Sequence, residues 1–538
     1  MRAKNISSYI VTALIFLFYG LFLLHPISMT TADIGRHLQN GAVLFHTGSV
    51  IKTNFYSYTY PSFPVTNHHW GSGALLFLVE SAAGFAGLHI FFMALSFAAL
   101  LVFFSLARKE TGSGIAGIIA IPAIFLLAER TEVRPEVLSY LFCGLFIWIL
   151  VRVRSRPAAW RWLAALPILE ILWVNSHIFF FLGPCIIGAF LIDQIIRDHR
   201  NRHTVEQLAA AFFASIAATL VNPFGFAGAA APFTIFHNYG YRLAENQPVW
   251  FMERLTQDPN FLIFKIVFAG LAASFILRLA KKRGVDPVRS QMSLASASPH
   301  TNWTSNGVDW AYFFLALGIS TMAWLQIRNL ALFGLFSFPI ISANIRASFA
   351  PEILGRHEKK MLGATFLILL LLIIPALFGH IQRNFPYWHE FGVGLAQNDS
   401  AAADFFKNHG LQGPIFNNYD IGGYLIFHLY PQERVFVDNR PEAYPASFFQ
   451  DTYIPMQENN DAWRAEQHTY GFNAIFFAWH DATPWGQQFL RNRVNDPDWA
   501  PVFADQNAII FLKRTETNKP VIDTYEIPKS AFGVRAPS

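Results

Sequence analysis

Apolar residues in this chain fall in long, nearly uninterrupted runs, not at the alternation of a strand or on one stripe of a surface helix. A helix needs about 20 mostly apolar residues to cross some 30 Å of hydrocarbon, and by that measure the pattern predicts about eleven spans. They lie near 9–27, 84–106, 113–129, 136–152, 160–175, 178–196, 206–221, 261–279, 310–327, 329–345 and 361–380, the fifth and sixth closely paired. From about Asn384 the runs stop and short elements take over. Helices are expected over 401–409 and 422–429, and strands over 414–416, 434–437, 474–478 and 508–512. Strands alternating with helices favour a largely parallel sheet. The expected fold class is mainly α: a polytopic transmembrane helical bundle over 1–382, followed by a soluble α/β domain over 383–538.

Composition agrees, since 53% hydrophobic residues, 14% charged residues and 55 phenylalanines in 538 exclude an ordinary soluble protein. The net charge of +5 does not point to nucleic acid, because Lys and Arg sit in short clusters between apolar runs. Those clusters are Arg108 and Lys109; Arg152, Arg154, Arg156 and Arg161; Arg197, Arg200 and Arg202; Lys281, Lys282 and Arg283; and Arg346, Arg356, Lys359 and Lys360. They occupy every second loop, which the positive-inside rule assigns to the cytoplasm together with the N-terminus. An odd number of spans then leaves the C-terminal domain extracytoplasmic. The first run follows Arg2 and Lys4 like a secretory signal, but no Ala-x-Ala site follows it, so a retained first span is expected. The polar stretch 281–308 reads as a cytoplasmic linker, where the sequon Asn302-Trp303-Thr304 would stay unmodified. Cys143 and Cys185 lie inside apolar runs and read as small core residues.

The outer loops hold polar residues beside aromatics. In the loop 28–72, a helix opening at Asp33 would stack Asp33 and His37 one turn apart, able to share a proton or a metal ion; the plainer reading makes Asp33 a cap and His37 a packing residue. His68 and His69 are further metal-ligand types, although adjacent histidines rarely reach one ion. Glu129, Arg130, Glu132, Arg134 and Glu136 join the third and fourth spans, where the arginines are suited to a phosphate or to salt bridges with the glutamates. Glu170, Asn175 and His177 interrupt the fifth span, and ionisable groups at membrane depth usually face a cavity. Asn222, Glu245 and Arg328 fall at the same expected side. In the C-terminal domain Asn417, Asp420, Asp438, Asn439 and Arg440 follow strands, where α/β sheets present ligand-binding side chains; a structural salt bridge between Asp438 and Arg440 is the competing reading.

An acidic residue, arginines, histidines and amides above an apolar body suit an amphiphilic, lipid-linked phosphate. Sugar transfer from such a phosphate needs a base for the acceptor hydroxyl and a cation for the departing phosphate.

The chain resembles the polytopic GT-C glycosyltransferases, and more closely the bacterial members with an extracytoplasmic C-terminal domain. The resemblance is carried by Asp33-Ile34-Gly35-Arg36-His37-Leu38 with Gly41, His69-Trp70, Arg134-Pro135, Trp173-Val174-Asn175-Ser176-His177, Asn222-Pro223-Phe224-Gly225, Arg328-Asn329, Asn417-Asn418-Tyr419-Asp420-Ile421-Gly422-Gly423-Tyr424-Leu425 and Val435-Phe436-Val437-Asp438-Asn439-Arg440. It implies a GT-C-like bundle and a polyprenyl-phosphate-sugar donor, with Asp33 as catalytic base. It also implies a glycan, lipid or protein acceptor and a bacterial inner membrane. The family's paired acidic motif is absent, because Ala32 and Ile34 flank Asp33. No cofactor is assigned, and a divalent metal stays open. His37 is grouped with Asp33 as catalytic. Arg130, Arg134, Glu170, Asn175, His177, His69, Asn222, Glu245 and Arg328 are taken as substrate-binding. The alternatives are a lipid-linked substrate transporter or flippase, and a non-catalytic protein of envelope polysaccharide assembly.

Overall fold

The computed structural model describes residues 2–30, 33–235, 240–283, 307–385, 388 and 390–533. Most of the linker expected over 281–308 lies outside these residues. Among them, seven helices are long and apolar enough to cross a membrane: Ile6–Leu23, Trp70–Ala128, Glu136–Ser155, Ile178–Asp198, Pro259–Ala280, Ile327–Ser348 and Pro351–Leu377. The chain is a multi-pass membrane protein. The lower count against about eleven expected spans has local causes. The runs at 84–106 and 113–129 lie in one element, Trp70–Ala128, which carries glycines at positive φ at Gly84 and Gly112. The fifth run breaks into a 3-10 stretch, Pro157–Ala164, and the short helix Ala165–Val174; Arg202–Ala218 has only 17 residues, and the apolar helix Trp310–Leu325 only 16.

Helices are numbered α1 (Arg2–Leu23), α2 (Ile34–Thr47), α3 (Trp70–Ala128), α4 (Glu136–Ser155), α5 (Ala165–Val174), α6 (Leu182–Asp198), α7 (Arg202–Ala218), α8 (Phe226–Thr234), α9 (Val249–Leu255), α10 (Pro259–Arg283), α11 (Trp310–Leu325), α12 (Leu330–Ser348), α13 (Pro351–Leu377), α14 (Ala401–Asn408) and α15 (Gly422–Leu429). The chain divides into two compact units, one of residues 1–25, 90–222 and 243–392, the other of residues 26–89, 223–242 and 393–538.

The first unit is all helix. Its most enclosed element is α12, buried from Leu330 to Ile341 on every face, as a helix apolar all round should be. Small residues let backbones approach: a Cβ on Gly114 would stand 2.6 Å from Leu362 N, and Thr365 Oγ1 donates to Gly114 O at 2.8 Å, fastening α3 to α13. The basic end of α4 is tied by Arg154, which pairs with Asp309 at 2.9 Å and Asp193 at 3.3 Å, while Arg197 pairs with Asp193 at 2.8 Å.

The second unit contains a four-stranded sheet, β1 (Ile415–Asn417), β2 (Ala474–Phe477), β3 (Trp499–Ala504) and β4 (Ile509–Lys513), in the order β1-β2-β4-β3. Only β1 and β2 are parallel; β4 runs antiparallel to both neighbours, so the sheet is mixed where a largely parallel one was expected. Residues 434–437 are buried as expected at 435–437 but form no strand. The Asn417 side chain takes the place of a ladder, accepting from Phe436 N at 2.9 Å and donating to Val437 O at 2.7 Å. The loop before α3 supplies the rest, with Val435 N donating to Tyr56 O at 3.0 Å and Tyr58 N to Val435 O at 3.1 Å.

Candidate functional site

In the second unit two helix N-termini meet at two glycines. A Cβ on Gly35 would stand 2.6 Å from Gly423 O, so only glycine lets α2 lie this close to α15. Asp33 precedes α2 and Asp420 precedes α15. Asp33 does not cap its own helix; its carboxylate accepts from Arg36 Nη2 at 3.2 Å and keeps a side-chain exposure of 36%. Arg36 is buried, and its Nε donates to Asn439 Oδ1 at 3.1 Å, so the guanidinium braces Asp33 against the C-terminal part of the unit.

Asp420 is exposed as a residue, yet neighbouring protein atoms desolvate its carboxyl. That desolvation, with the charges of Asp481 and Asp33, pushes it up to about 7. Asp481 is buried, accepting from Thr483 N at 2.9 Å and from Asn418 Nδ2 at 3.0 Å. Beside Asp420, Tyr241 stacks on Tyr419 with ring centroids 4.4 Å apart.

His37 is buried, with its ring 5.2 Å from that of His69 in an edge-on arrangement; His68 and His69 lie 4.1 Å apart. Asp33 forms an ion pair with Arg36 at i,i+3. Among the described residues no group of three or more His, Cys, Asp or Glu side chains is placed to hold a metal ion.

Asp438 and Arg440 form a closed, buried ion pair. Arg440 Nη2 lies 2.6 Å from Asp438 Oδ2 and Nε 2.8 Å from Oδ1, and the same Nη2 donates to Asn54 Oδ1 at 2.7 Å. Burial alone would lower the guanidinium, but Asp438 holds it above the ordinary arginine range. Both charges are spent on each other and on Asn54, so the group fastens the loop 48–69 to the C-terminal part. Asn417 is likewise consumed by backbone.

The first unit brings together Arg130, Arg134, Glu245 and Arg328. Glu245 pairs with Arg130 at 2.9 Å, Arg328 at 3.2 Å and Arg134 at 3.5 Å. Arg130 also reaches Glu136 at 3.2 Å and Arg134 reaches Glu132 at 2.7 Å. Burial would raise the Glu245 carboxyl, but the three arginines together hold it well below the usual carboxylate range. Three guanidinium groups converging on one partly exposed carboxylate form a ready anion cradle.

The remaining expected residues have these partners. His177 Nδ1 is 2.8 Å from Ser139 Oγ, which accepts from Trp173 Nε1 at 2.7 Å. Glu170 is fully buried and neither of its oxygens has a hydrogen-bond partner; α5 ends at Val174, so Glu170 and His177 do not share one continuous helix. Asn175 donates to Ile171 O and Val221 O, and Asn222 to Thr219 O. Sequence reasoning missed the bracing role of Arg36 and Asn439 and the standing of Asp420. Their motifs were visible, but their pairing joins positions about 400 apart.

The chain matches no family model and no curated protein. Its structure does have likenesses among solved ones. It is similar to the Archaeoglobus fulgidus oligosaccharyltransferase AglB in complex with an inhibitory peptide and a dolichol-phosphate, with TM-score 0.53 and 12% identity, covering 95% of this chain and 75% of that one. The apo form of the Archaeoglobus fulgidus oligosaccharyltransferase gives TM-score 0.54 at 12% identity, over 95% and 74% of the two chains. The fold is GT-C. ArnT from Cupriavidus metallidurans in the apo state extends the likeness over 95% of this chain and 98% of that one, at TM-score 0.51 and 12% identity. At such identities the GT-C architecture is what is shared.

Proposed function

We propose that the protein is a membrane glycosyltransferase that moves a sugar from a polyprenyl-phosphate carrier to an acceptor on the extracytoplasmic side of a bacterial inner membrane. The observation that carries this reading is Asp33: a half-buried carboxylate, braced by a buried arginine at a helix N-terminus, in a GT-C fold whose solved neighbour holds a dolichol-phosphate. Asp33 takes the proton of the acceptor hydroxyl as its oxygen bonds to the anomeric carbon. The bond from that carbon to the phosphate oxygen breaks, and the phosphate leaves with the electron pair. Arg130, Arg134 and Arg328 are assigned to the phosphate charge, His37 and His69 to the lining around the base, and the membrane helices to the polyprenyl chain. Asn417, Asp438 and Arg440 keep the C-terminal part in shape. The acceptor is a glycan, a lipid or a protein.

The test is transfer of radiolabelled sugar from synthetic polyprenyl-phosphate donors by purified wild type and Asp33→Asn in one detergent. Loss of a positioned base costs about 10²–10⁴ in rate. Activity in the wild type with a loss of that size in a folded variant supports the proposal; equal activity in the two overturns the role of Asp33. Silence of the wild type across all donors, while the lipid still binds, overturns the enzyme reading.

A further inference from the structure

At the basic end of the first unit's helices, a cavity of about 340 Å³ opens between α3 and the last turns of α4. Ser105, Leu106 and Lys109 line it from α3; Trp148, Val151, Arg152, Ser155 and Arg156 line it from α4 and its C-terminal cap. Three of the eight lining residues are cations and none is a carboxylate. In the same stretch Arg154 is held by Asp193 and Asp309, whereas Arg152 is held only by rings: its guanidinium lies 5.2 Å from the centroids of both Trp148 and Trp162, and its Nε has no hydrogen-bond partner. The hydroxyls of Ser105 and Ser155 donate to Val102 O and Val151 O, both at 2.7 Å, so their oxygens turn acceptor lone pairs, not protons, outward. Leu106, Val151 and Trp148 supply the apolar part of the lining.

We propose that this cavity binds the phosphate headgroup of an anionic phospholipid, at a place separate from the arginine cradle around Glu245. Lys109, Arg152 and Arg156 suit the phosphate, and Trp148, Leu106 and Val151 suit the glycerol backbone and the first carbons of an acyl chain. The volume lies within the range of small-ligand pockets. The α4 C-terminus itself attracts Arg152 and Arg156, because carbonyl ends favour cations. That accounts for basic residues there, but not for Lys109 on another element, nor for an enclosed volume.

Purified full-length protein is titrated in detergent with phosphatidylglycerol, phosphatidylcholine and inorganic phosphate, and bound lipid is counted by native mass spectrometry. Phosphatidylglycerol is expected to be retained in preference, and each neutralised cation, in Lys109→Gln, Arg152→Gln or Arg156→Gln, to lower retention about fivefold (~1 kcal/mol). Arg156 lies exposed beyond the helix, so its variant folds whatever the others do, and the charge-keeping Arg152→Lys variant retains binding. Equal retention of the two lipids, or an undiminished preference in Arg156→Gln and Lys109→Gln, overturns the proposal and leaves these side chains as partners of the helix end. Displacement of phosphatidylglycerol by inorganic phosphate at equal concentration overturns the lipid as occupant.

Discussion

Removing one member of the Asp438–Arg440 pair tests whether the second unit is fastened as described. Asp438 is fully buried, Arg440 keeps 5% side-chain exposure, and Asn54 is the further partner of the guanidinium. Breaking a buried pair costs about 3–5 kcal/mol, because the remaining charge stays desolvated. Asp438→Asn leaves Arg440 with Asn54 and a neutral amide, and the upper half of that range is expected. Arg440→Met leaves Asp438 accepting from Arg440 N at 3.1 Å and from Tyr444 OH at 3.4 Å, so the lower half is expected. The double variant removes both charges and should lose less than the sum of the singles, by roughly 0.5–3 kcal/mol. The assay is urea unfolding of full-length protein in one detergent, with protease sensitivity of the loop 48–69 read in parallel. Single variants within about 1 kcal/mol of wild type would refute the reasoning, since that is the scale of an exposed pair.

The other tests are shorter. Glu245→Gln removes the carboxylate shared by Arg130, Arg134 and Arg328 while Arg130 keeps Glu136 and Arg134 keeps Glu132, so binding of polyprenyl phosphate should tighten several-fold while thermal stability falls; unchanged binding would remove the cradle from the phosphate site. Asp399 is buried, accepts from Met29 N at 3.2 Å, and is pushed up to about 7 from 3.8, by burial first. A carboxyl raised on folding contributes stability that is full below about 4 and lost as pH rises through about 7, so Asp399→Asn should be more stable than wild type at pH 8, by roughly 2–4 kcal/mol, and not at pH 4. Asp420 should add an ionisation near pH 7 to the rate profile that Asp420→Asn abolishes. A Cβ on Gly183 would collide with the Glu170 carboxylate, so Gly183→Ala should cost about 1–3 kcal/mol, and the same change beside Glu170→Ala should cost less.

The membrane helices were legible because one physical demand, internal hydrogen bonding in hydrocarbon, writes itself as uninterrupted apolar runs. Their number was less so. A run of apolar residues does not say where a helix stops, and α5, α7 and α11 end after 10, 17 and 16 residues. The C-terminal strands at Ile415, Ala474 and Ile509 were visible as apolar segments, but the Pro501-bearing strand β3 was not, nor the antiparallel pairing of β2 with β4 that makes the sheet mixed. Asp33 was legible by type and place; its partner was not, since on a helix the i,i+3 and i,i+4 positions compete and spacing does not choose between Arg36 and His37. What chose was a long-range contact: Arg36 is already oriented by Asn439, and a guanidinium held from one side presents its other nitrogens to Asp33 at little entropic cost. The same logic governs Glu245, whose three arginines come from positions 130, 134 and 328. A carboxylate with one arginine is an ordinary salt bridge; with three it is an anion site with a resident anion. Tightening of phosphate binding in Glu245→Gln is therefore the outcome that separates a cradle kept for substrate from a knot that only holds helices together.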